Sequence, residues 1–274
     1  MGFRRLEDDR RRRHRSCQDA GMVERALSFG TVAETYERFR PGYPAELLEL
    51  VSAYAGRPIR TALEIGAGTG KATRVFAQGG VAVTATEPDG AMLAELRKQL
   101  PASVTAVEAA FEDLPLDTSY ELVYSAAALH WTKPEGRWAR MAALVQAGGV
   151  FASFAVPIQL ADPDLKEAAR AARAPYLEYD GVPSPDDRPP ADRPMDWPGT
   201  ELQESEWFTD VRQLVVERRL TMSAHEYVGH LSTVSAYVLL EPADRDEVFR
   251  RILEVLPETV EINAEVTAHL ARRR

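Results

Sequence analysis

The chain is nearly without cysteine: Cys17 is the one thiol among 274 residues. One thiol forms no internal disulfide and builds no cysteine-based metal cluster. A reducing cytoplasm is the compartment that suits it. No apolar run reaches the ~18–20 residues that span a bilayer, so a membrane partner is not expected. Positive charge is also short: 33 Lys and Arg stand against 42 Asp and Glu, a formal net charge of −9. An acidic chain repels phosphate backbones, which argues against nucleic acid as a partner. Histidine is sparse, and His225 and His230 are not spaced to share a helical face. With no Asp/Glu/His cluster at ligand spacing, no catalytic metal is expected. Internal repeats are absent as well.

What is present suits a folded enzyme-sized unit. The chain is 45% hydrophobic, enough for one substantial α/β domain with a small second lobe. Its 18 prolines and 17 glycines are ordinary for the length and argue against global disorder. Residues 1–21 form a basic tail carrying Arg4, Arg5, Arg10 to Arg13 and Arg15. No apolar segment follows, so the tail reads as solvated and poorly ordered rather than as a secretory signal.

A helical pattern runs from Met22 through Phe29, Val32, Ala33 and Tyr36. It breaks at Arg40-Pro41-Gly42-Tyr43-Pro44. A second helix fits Ala45 to Tyr54. Alternation then begins. Strands are expected at Thr61–Ile65, Val81–Thr86, Val104–Val107, Leu122–Ser125 and Gly149–Ala155. Helices fall between most of them, at Lys71–Gln78, Gly90–Leu100 and Glu135–Val145. Such alternation implies right-handed crossovers and a parallel sheet. Residues 22–156 therefore read as N-terminal helices followed by a Rossmann-like core. Residues 157–208 carry seven prolines from Pro175 to Pro198, with Tyr176, Tyr179, Trp197, Trp207 and Phe208 interleaved. They read as an irregular cap over something apolar. Residues 209–274 are expected to complete the core, with a strand at Val211–Leu220, helices at Ala224–Leu240 and Asp244–Leu256, and a last strand within Val260–Leu270.

The most informative stretch is Leu63-Glu64-Ile65-Gly66-Ala67-Gly68-Thr69-Gly70. Glycines permit positive φ and a close approach of backbone to ligand. The helix that follows aims free amides and its positive end at the same place. In an open α/β sheet, this is the ligand site at the carboxyl ends of the strands. The spacing is G-x-G-x-G rather than the G-x-G-x-x-G of dinucleotide binders. Glu64, just ahead of it, suits an ammonium group better than a pyrophosphate. Both features weigh against a nicotinamide-dependent oxidoreductase. Glu87 ends the second strand, at the position where an acid accepts hydrogen bonds from ribose hydroxyls.

Glu64 to Gly70 resembles the E/D-x-G-x-G-x-G motif of class I S-adenosylmethionine-dependent methyltransferases. Phe111-Glu112-Asp113-Leu114-Pro115 resembles the stretch that borders the adenine in that family. Ser125 to Trp131 resembles its strand-four exit, and Ala147-Gly148-Gly149 its turn before strand five. The resemblance covers about residues 29–155 and departs at Ala110, where many relatives carry Asp. It implies a doubly wound, mostly parallel seven-stranded sheet with an N-terminal helical lid and a cap between strands five and six. It implies S-adenosyl-L-methionine as cofactor, S-adenosyl-L-homocysteine as product, and a small organic molecule as acceptor. The cofactor-binding residues it implies are Tyr36, Arg40, Glu64, Gly66, Ala67, Gly68, Gly70, Glu87, Pro88, Phe111, Glu112 and Ser125.

Methyl transfer from a sulfonium needs alignment and exclusion of water more than it needs acid–base chemistry. Arg40 is the candidate partner of the methionine carboxylate, because guanidinium pairs with carboxylate through two parallel hydrogen bonds. Tyr36 is the candidate closure over the methionine, while Phe29 reads as a core residue of the same helix. His130 is the candidate base for a protonated acceptor. Trp131, Tyr176, Tyr179 and Trp197 are candidates for the walls of the acceptor pocket. The same fold also hosts proteins that bind S-adenosylmethionine for a non-methylating rearrangement or for regulation, and this second reading stays open. Whether the chain is a monomer or a homo-oligomer is not legible in its residues.

Overall fold

A computed structural model describes residues 28–101, 103–180 and 195–274. The expected basic tail, Cys17, the start of the first helix and the prolines from Pro183 to Pro194 lie outside the described residues. Two helices come first, α1 (Ala33–Phe39) and α2 (Glu46–Ala55). The alternating half follows as β1 (Thr61–Ile65), α3 (Lys71–Gln78), β2 (Ala82–Glu87), α4 (Gly90–Arg97), β3 (Val104–Glu108), β4 (Tyr120–Ala126), α5 (Arg137–Leu144) and β5 (Val145–Ala155). The remainder is β6 (Gln159–Leu160), α6 (Pro163–Arg173), α7 (Gly199–Glu204), β7 (Phe208–Val216), β8 (Arg219–Ser223), α8 (Ala224–Leu231), α9 (Ser235–Val238), α10 (Pro242–Val255), β9 (Thr259–Asn263) and β10 (Val266–Arg273).

Seven strands form one sheet in the order β3-β2-β1-β4-β5-β10-β7. The first five run parallel, and β10 lies antiparallel to both β5 and β7. This is the mostly parallel, doubly wound arrangement expected. Its two faces are sorted by the two-residue period of a strand. On β1, Ala62 faces the core beneath α2 and α3 with Leu47, Val51 and Phe76, while Leu63 and Ile65 face Met141, Phe151 and Phe208 on the other side. Consecutive crossovers reverse direction at β1 and β4, so the crevice at their carboxyl ends is the natural ligand site.

The last third of the chain departs from expectation. The segments read as one strand at Val211–Leu220 and one within Val260–Leu270 are each two strands in different sheets. β7 and β10 pair in the large sheet; β8 and β9 pair in a second sheet of order β6-β9-β8. The Ala264 amide donates to the Arg218 carbonyl at 2.9 Å, between Val266↔Val216 and Arg219↔Asn263, so a single ribbon runs from core to cap. Only its two ends complete the core; the stretch between them belongs to the cap. That lobe has its own apolar centre, with Leu160, Tyr227, Leu231, Tyr237, Ile252 and Ile262.

Two further corrections concern helices. Residues 157–208, expected to form an irregular cap, include a regular helix: α6 has 11 residues and is started by Asp162, whose side chain accepts from the amides of Asp164 and Leu165. The expected helix at Ala224–Leu240 is broken at residues 232–234, giving α8 and α9. Among the described residues no helix is long and apolar enough to cross a membrane.

Candidate active site

Gly66, Gly68 and Gly70 all adopt positive φ, at 67°, 57° and 84°. A side chain is excluded at Gly66 twice over, because a Cβ there would stand 2.5 Å from that of Ala128. The loop leaves β1, turns at Ala67, whose amide donates to the Thr86 carbonyl at 2.9 Å, and enters α3. No side chain caps α3. Its first amides therefore face the loop's ligand side.

Two acids flank this loop, both buried. One oxygen of Glu64 accepts from Thr73 Oγ1 and from Tyr124 Oη, the latter at 2.9 Å. Tyr124 is held for this by ring contacts with Phe76 and Phe154. Burial, with some repulsion from Glu87, pushes the Glu64 carboxyl up to about 7. Glu87 Oε2 accepts from the Gly68 amide at 2.8 Å, and Oε1 from the Asp89 amide at 3.0 Å. Burial raises its carboxyl too, against these two amides.

Both acids and the loop line one cavity of about 1180 Å³. A drug-sized ligand occupies a pocket of ~300–1,000 Å³, so there is room for two molecules side by side. Of the residues expected at the cofactor, Tyr36, Arg40, Glu64, Gly66, Ala67, Gly68, Glu87, Pro88, Phe111 and Glu112 line this cavity. Gly70 and Ser125 do not. Gly70 packs against Leu96 and only sets the turn into α3. Ser125 is fully buried and donates its hydroxyl to the Ile65 carbonyl at 3.0 Å, which ties β4 to β1 beneath the loop. Glu112 is partly committed, accepting from the Lys133 amide at 2.7 Å. Ala110 lines the cavity beside Phe111.

Helix α1 and the turn that follows it are tied down at both ends. Glu37 on α1 pairs with Arg74 at 2.9 Å and Lys71 at 3.4 Å, both on α3. Arg40 donates from Nε and Nη2 to the hydroxyl and carbonyl of Thr233 in the cap, at 2.8 and 3.0 Å. Two of its nitrogens are therefore already engaged, and Nη1 is the one left for a ligand carboxylate. Phe29, read from sequence as a core residue, lines the cavity instead. Its ring meets Tyr36 at 6.2 Å and Trp131 at 5.9 Å, edge to face. Tyr43 also lines the cavity and escaped the sequence reading, where Pro41 and Pro44 marked it as turn. Burial, then Tyr36 and Glu64 nearby, raise its phenol far above the usual range.

The exit of β4 brings His130 and Trp131 to the cavity, their rings 4.5 Å apart. Ala127, just before them, has φ of 54°, a left-handed conformation unusual for a residue with a side chain. This turn carries Ala128 over Gly66. Burial, and then Arg137, lower His130 to about 4, so its imidazole is neutral at pH 7 and a weak base. Trp197 and Tyr179 also line the cavity. Tyr176 does not: it lies under the Arg251 guanidinium, 5.2 Å from ring to charge, in the cap's apolar centre.

Comparison with known proteins bears on this geometry. Residues 63–153 match the protein family described as Methyltransferase domain. The uncharacterized methyltransferase Rv3342 of Mycobacterium tuberculosis is 38% identical over 125 residues, 45% of this chain and 50% of that protein. A malonyl-[acyl-carrier protein] O-methyltransferase of Pectobacterium atrosepticum is 34% identical over 151 residues, 53% of this chain and 56% of that one. The chain thus spans about half the length of the curated relatives it matches. Among solved structures, a protein of Anaeromyxobacter dehalogenans provisionally named a type II methyltransferase superposes with a TM-score of 0.59. The identity is 24%, over 86% of this chain and 97% of that one. At that identity the likeness concerns the fold.

Proposed function

From the match of residues 63–153 to the methyltransferase domain family, we propose that this chain is a class I S-adenosylmethionine-dependent methyltransferase that transfers a methyl group to a small organic acceptor by direct in-line displacement. The observation that carries the reading is the placement of Glu87. Its carboxylate is fixed by the amides of Gly68 and Asp89 at the end of β2, and it opens into the same cavity as the glycine loop. An acid so held cannot swing away, and its remaining lone pairs are available to ribose hydroxyls.

When bound, S-adenosylmethionine supplies a methyl group already activated by the sulfonium. The chain's own residues have three tasks. Gly66 and Gly68 let backbone approach the ligand, and Glu64 offers negative charge to the ammonium. Arg40 turns its uncommitted nitrogen toward the methionine carboxylate. Phe29, Tyr36 and Trp131 shield the reacting groups from water, which strengthens every charge interaction within. His130 serves here as a neutral hydrogen-bonding wall of the acceptor pocket rather than as the base, because burial beside Arg137 leaves it little affinity for a proton.

Calorimetric titration with S-adenosylhomocysteine beside NAD tests the cofactor. Micromolar one-to-one binding of the first alone supports the reading, and binding of NAD alone overturns it. Formation of S-adenosylhomocysteine in the presence of acceptors then separates methyl transfer from mere binding.

A further inference from the structure

The cavity changes electrical character along its length. At the glycine loop, Glu64, Glu87 and Glu112 outnumber Arg40 and Lys71. At the other end, helix α6 presents Lys166, Arg170 and Arg173 to the cavity, at i, i+4 and i+7 on one face. Lys166 and Arg170 are exposed, while the Arg173 side chain is 11% exposed, so the stripe leads inward from solvent.

Each cation has some company. Lys166 donates to Gln159 Oε1 at 2.7 Å. Arg170 forks onto Glu167 at 2.7 and 2.6 Å. Arg173 Nη2 donates to Asp180 Oδ1 at 2.8 Å, and Tyr237 Oη donates to the other oxygen of Asp180 at 2.9 Å. With Asp196 beside Trp197 on the same lining, three carboxylates stand against the three cations, so the donor left open on Arg173, and not a surplus of charge, distinguishes this end. Arg173 Nε is buried and has no hydrogen-bond partner. Three more buried nitrogens on residues lining the cavity share that condition, Nδ1 of His230, Nδ1 of His269 and Nε1 of Trp197. His230 is 3% exposed, and burial beside Arg40 holds its imidazole neutral. A buried donor without a partner is costly in a folded protein. Arg173 Nε and Trp197 Nε1 can only donate, and both belong to residues lining the cavity, where an acceptor of hydrogen bonds would satisfy them.

We propose that the cap end of the cavity recognises its small-molecule acceptor through a carboxylate, anchored by Arg173 and guided in by Lys166 and Arg170, with an apolar body against Leu231 and Ile252. This deepens the methyltransferase reading and rests on it. A guanidinium is the cation that gives a carboxylate a directed hydrogen bond, and Arg173 keeps a buried donor open for one. A polar head met by Arg173 among apolar walls is the usual balance of a small-molecule site.

The test is calorimetric titration of the full chain with octanoate, octanamide and octylammonium, with and without saturating S-adenosylhomocysteine. Octanoate is expected to bind at least tenfold tighter than octanamide, and octylammonium weakest. Arg173→Gln should abolish the preference while leaving S-adenosylhomocysteine affinity unchanged. Asp180→Asn should tighten octanoate several-fold, because Arg173 loses its competing anion, an outcome a purely structural ion pair would not give. Should Arg173→Gln fail to fold, the exposed pair Lys166→Gln and Arg170→Gln together should weaken octanoate about threefold. Equal binding of octanoate and octanamide, or a preference untouched by these variants, would overturn the proposal. Loss of S-adenosylhomocysteine binding with the octanoate preference intact would instead strike the cofactor reading and leave the anion site supported.

Discussion

Glu87 Oε2 accepts the amide proton of Gly68 at 2.8 Å, so the acid that ends one strand holds the glycine loop that ends its neighbour. Removing the side chain should disturb both the ribose contact and the loop. Glu87→Ala is expected to weaken S-adenosylhomocysteine binding by about 1–3 kcal/mol, the range for a lost hydrogen bond to a charged group. Calorimetry reads this directly, and an unchanged affinity would remove the ribose assignment.

Glu64 should release a proton when the cofactor binds. With its carboxyl pushed up to about 7, it is roughly half protonated at neutral pH, and a neighbouring ammonium would favour the ionised form. Binding enthalpies of S-adenosylhomocysteine measured at pH 7 in buffers of different ionisation heat should reveal roughly half a proton released per site. The release should vanish in Glu64→Gln. Equal proton release in that variant would mean that the ammonium is recognised elsewhere.

Two glycine substitutions should part company sharply. Gly66→Ala combines φ of 67° with a Cβ 2.5 Å from Ala128, whereas Gly42→Ala has nothing within 4 Å of the added Cβ. The first should reduce cofactor affinity more than tenfold or lower the melting temperature by several degrees; strain and overpacking of this kind cost about 1–3 kcal/mol. The second should be close to wild type in both assays. A silent Gly66→Ala would show that the loop can relax, and the tight approach to Ala128 would lose its significance.

The pH dependence of folding should report His269, buried on β10 with Nε2 3.1 Å from Gln213 Oε1. Burial lowers it from 6.5 to about 4, so the unfolded chain binds more protons than the folded one between those values. Stability from this residue is therefore complete above pH 6.5 and is lost as pH falls toward 4. Relative to His269→Gln, the wild type should lose about 2 kcal/mol between pH 7.5 and pH 5, read from urea denaturation midpoints. The difference matters because Glu64, shifted the opposite way, changes stability with the opposite sign over part of the range. Parallel curves for the two proteins would place His269 in a more hydrated setting.

The core was legible because its signals are local. Strand β1 and helix α3 occur at the residues expected, since a short apolar run, three glycines and an amphipathic turn each declare themselves within a few positions. The same stretch lines the cavity. Ser125 and Gly70 were placed one layer too far forward. Sequence shows that they border the loop, but not that one hydroxyl turns back to Ile65 or that the other residue packs on Leu96. Phe29 erred the other way, because helical spacing cannot tell a core face from a face turned toward a ligand.

What the residues determined alone is the half of the protein whose instructions lie close together: the alternating strands and helices, the short glycine turn, and the two acids on either side of it. Tertiary structure decided the rest. Val211–Leu220 reads as one strand because period-two alternation carries no record of which sheet a strand joins. That is settled by pairing with residues some fifty positions away, where Val216 meets Val266 and Arg219 meets Asn263. The polarity of the cavity has the same origin. Lys166, Arg170 and Arg173 are an ordinary basic helix face in the sequence. They become a recognition surface only because the ribbon folds the cap back over the carboxyl ends of the parallel strands, where burial gives an unpaired donor its energetic weight.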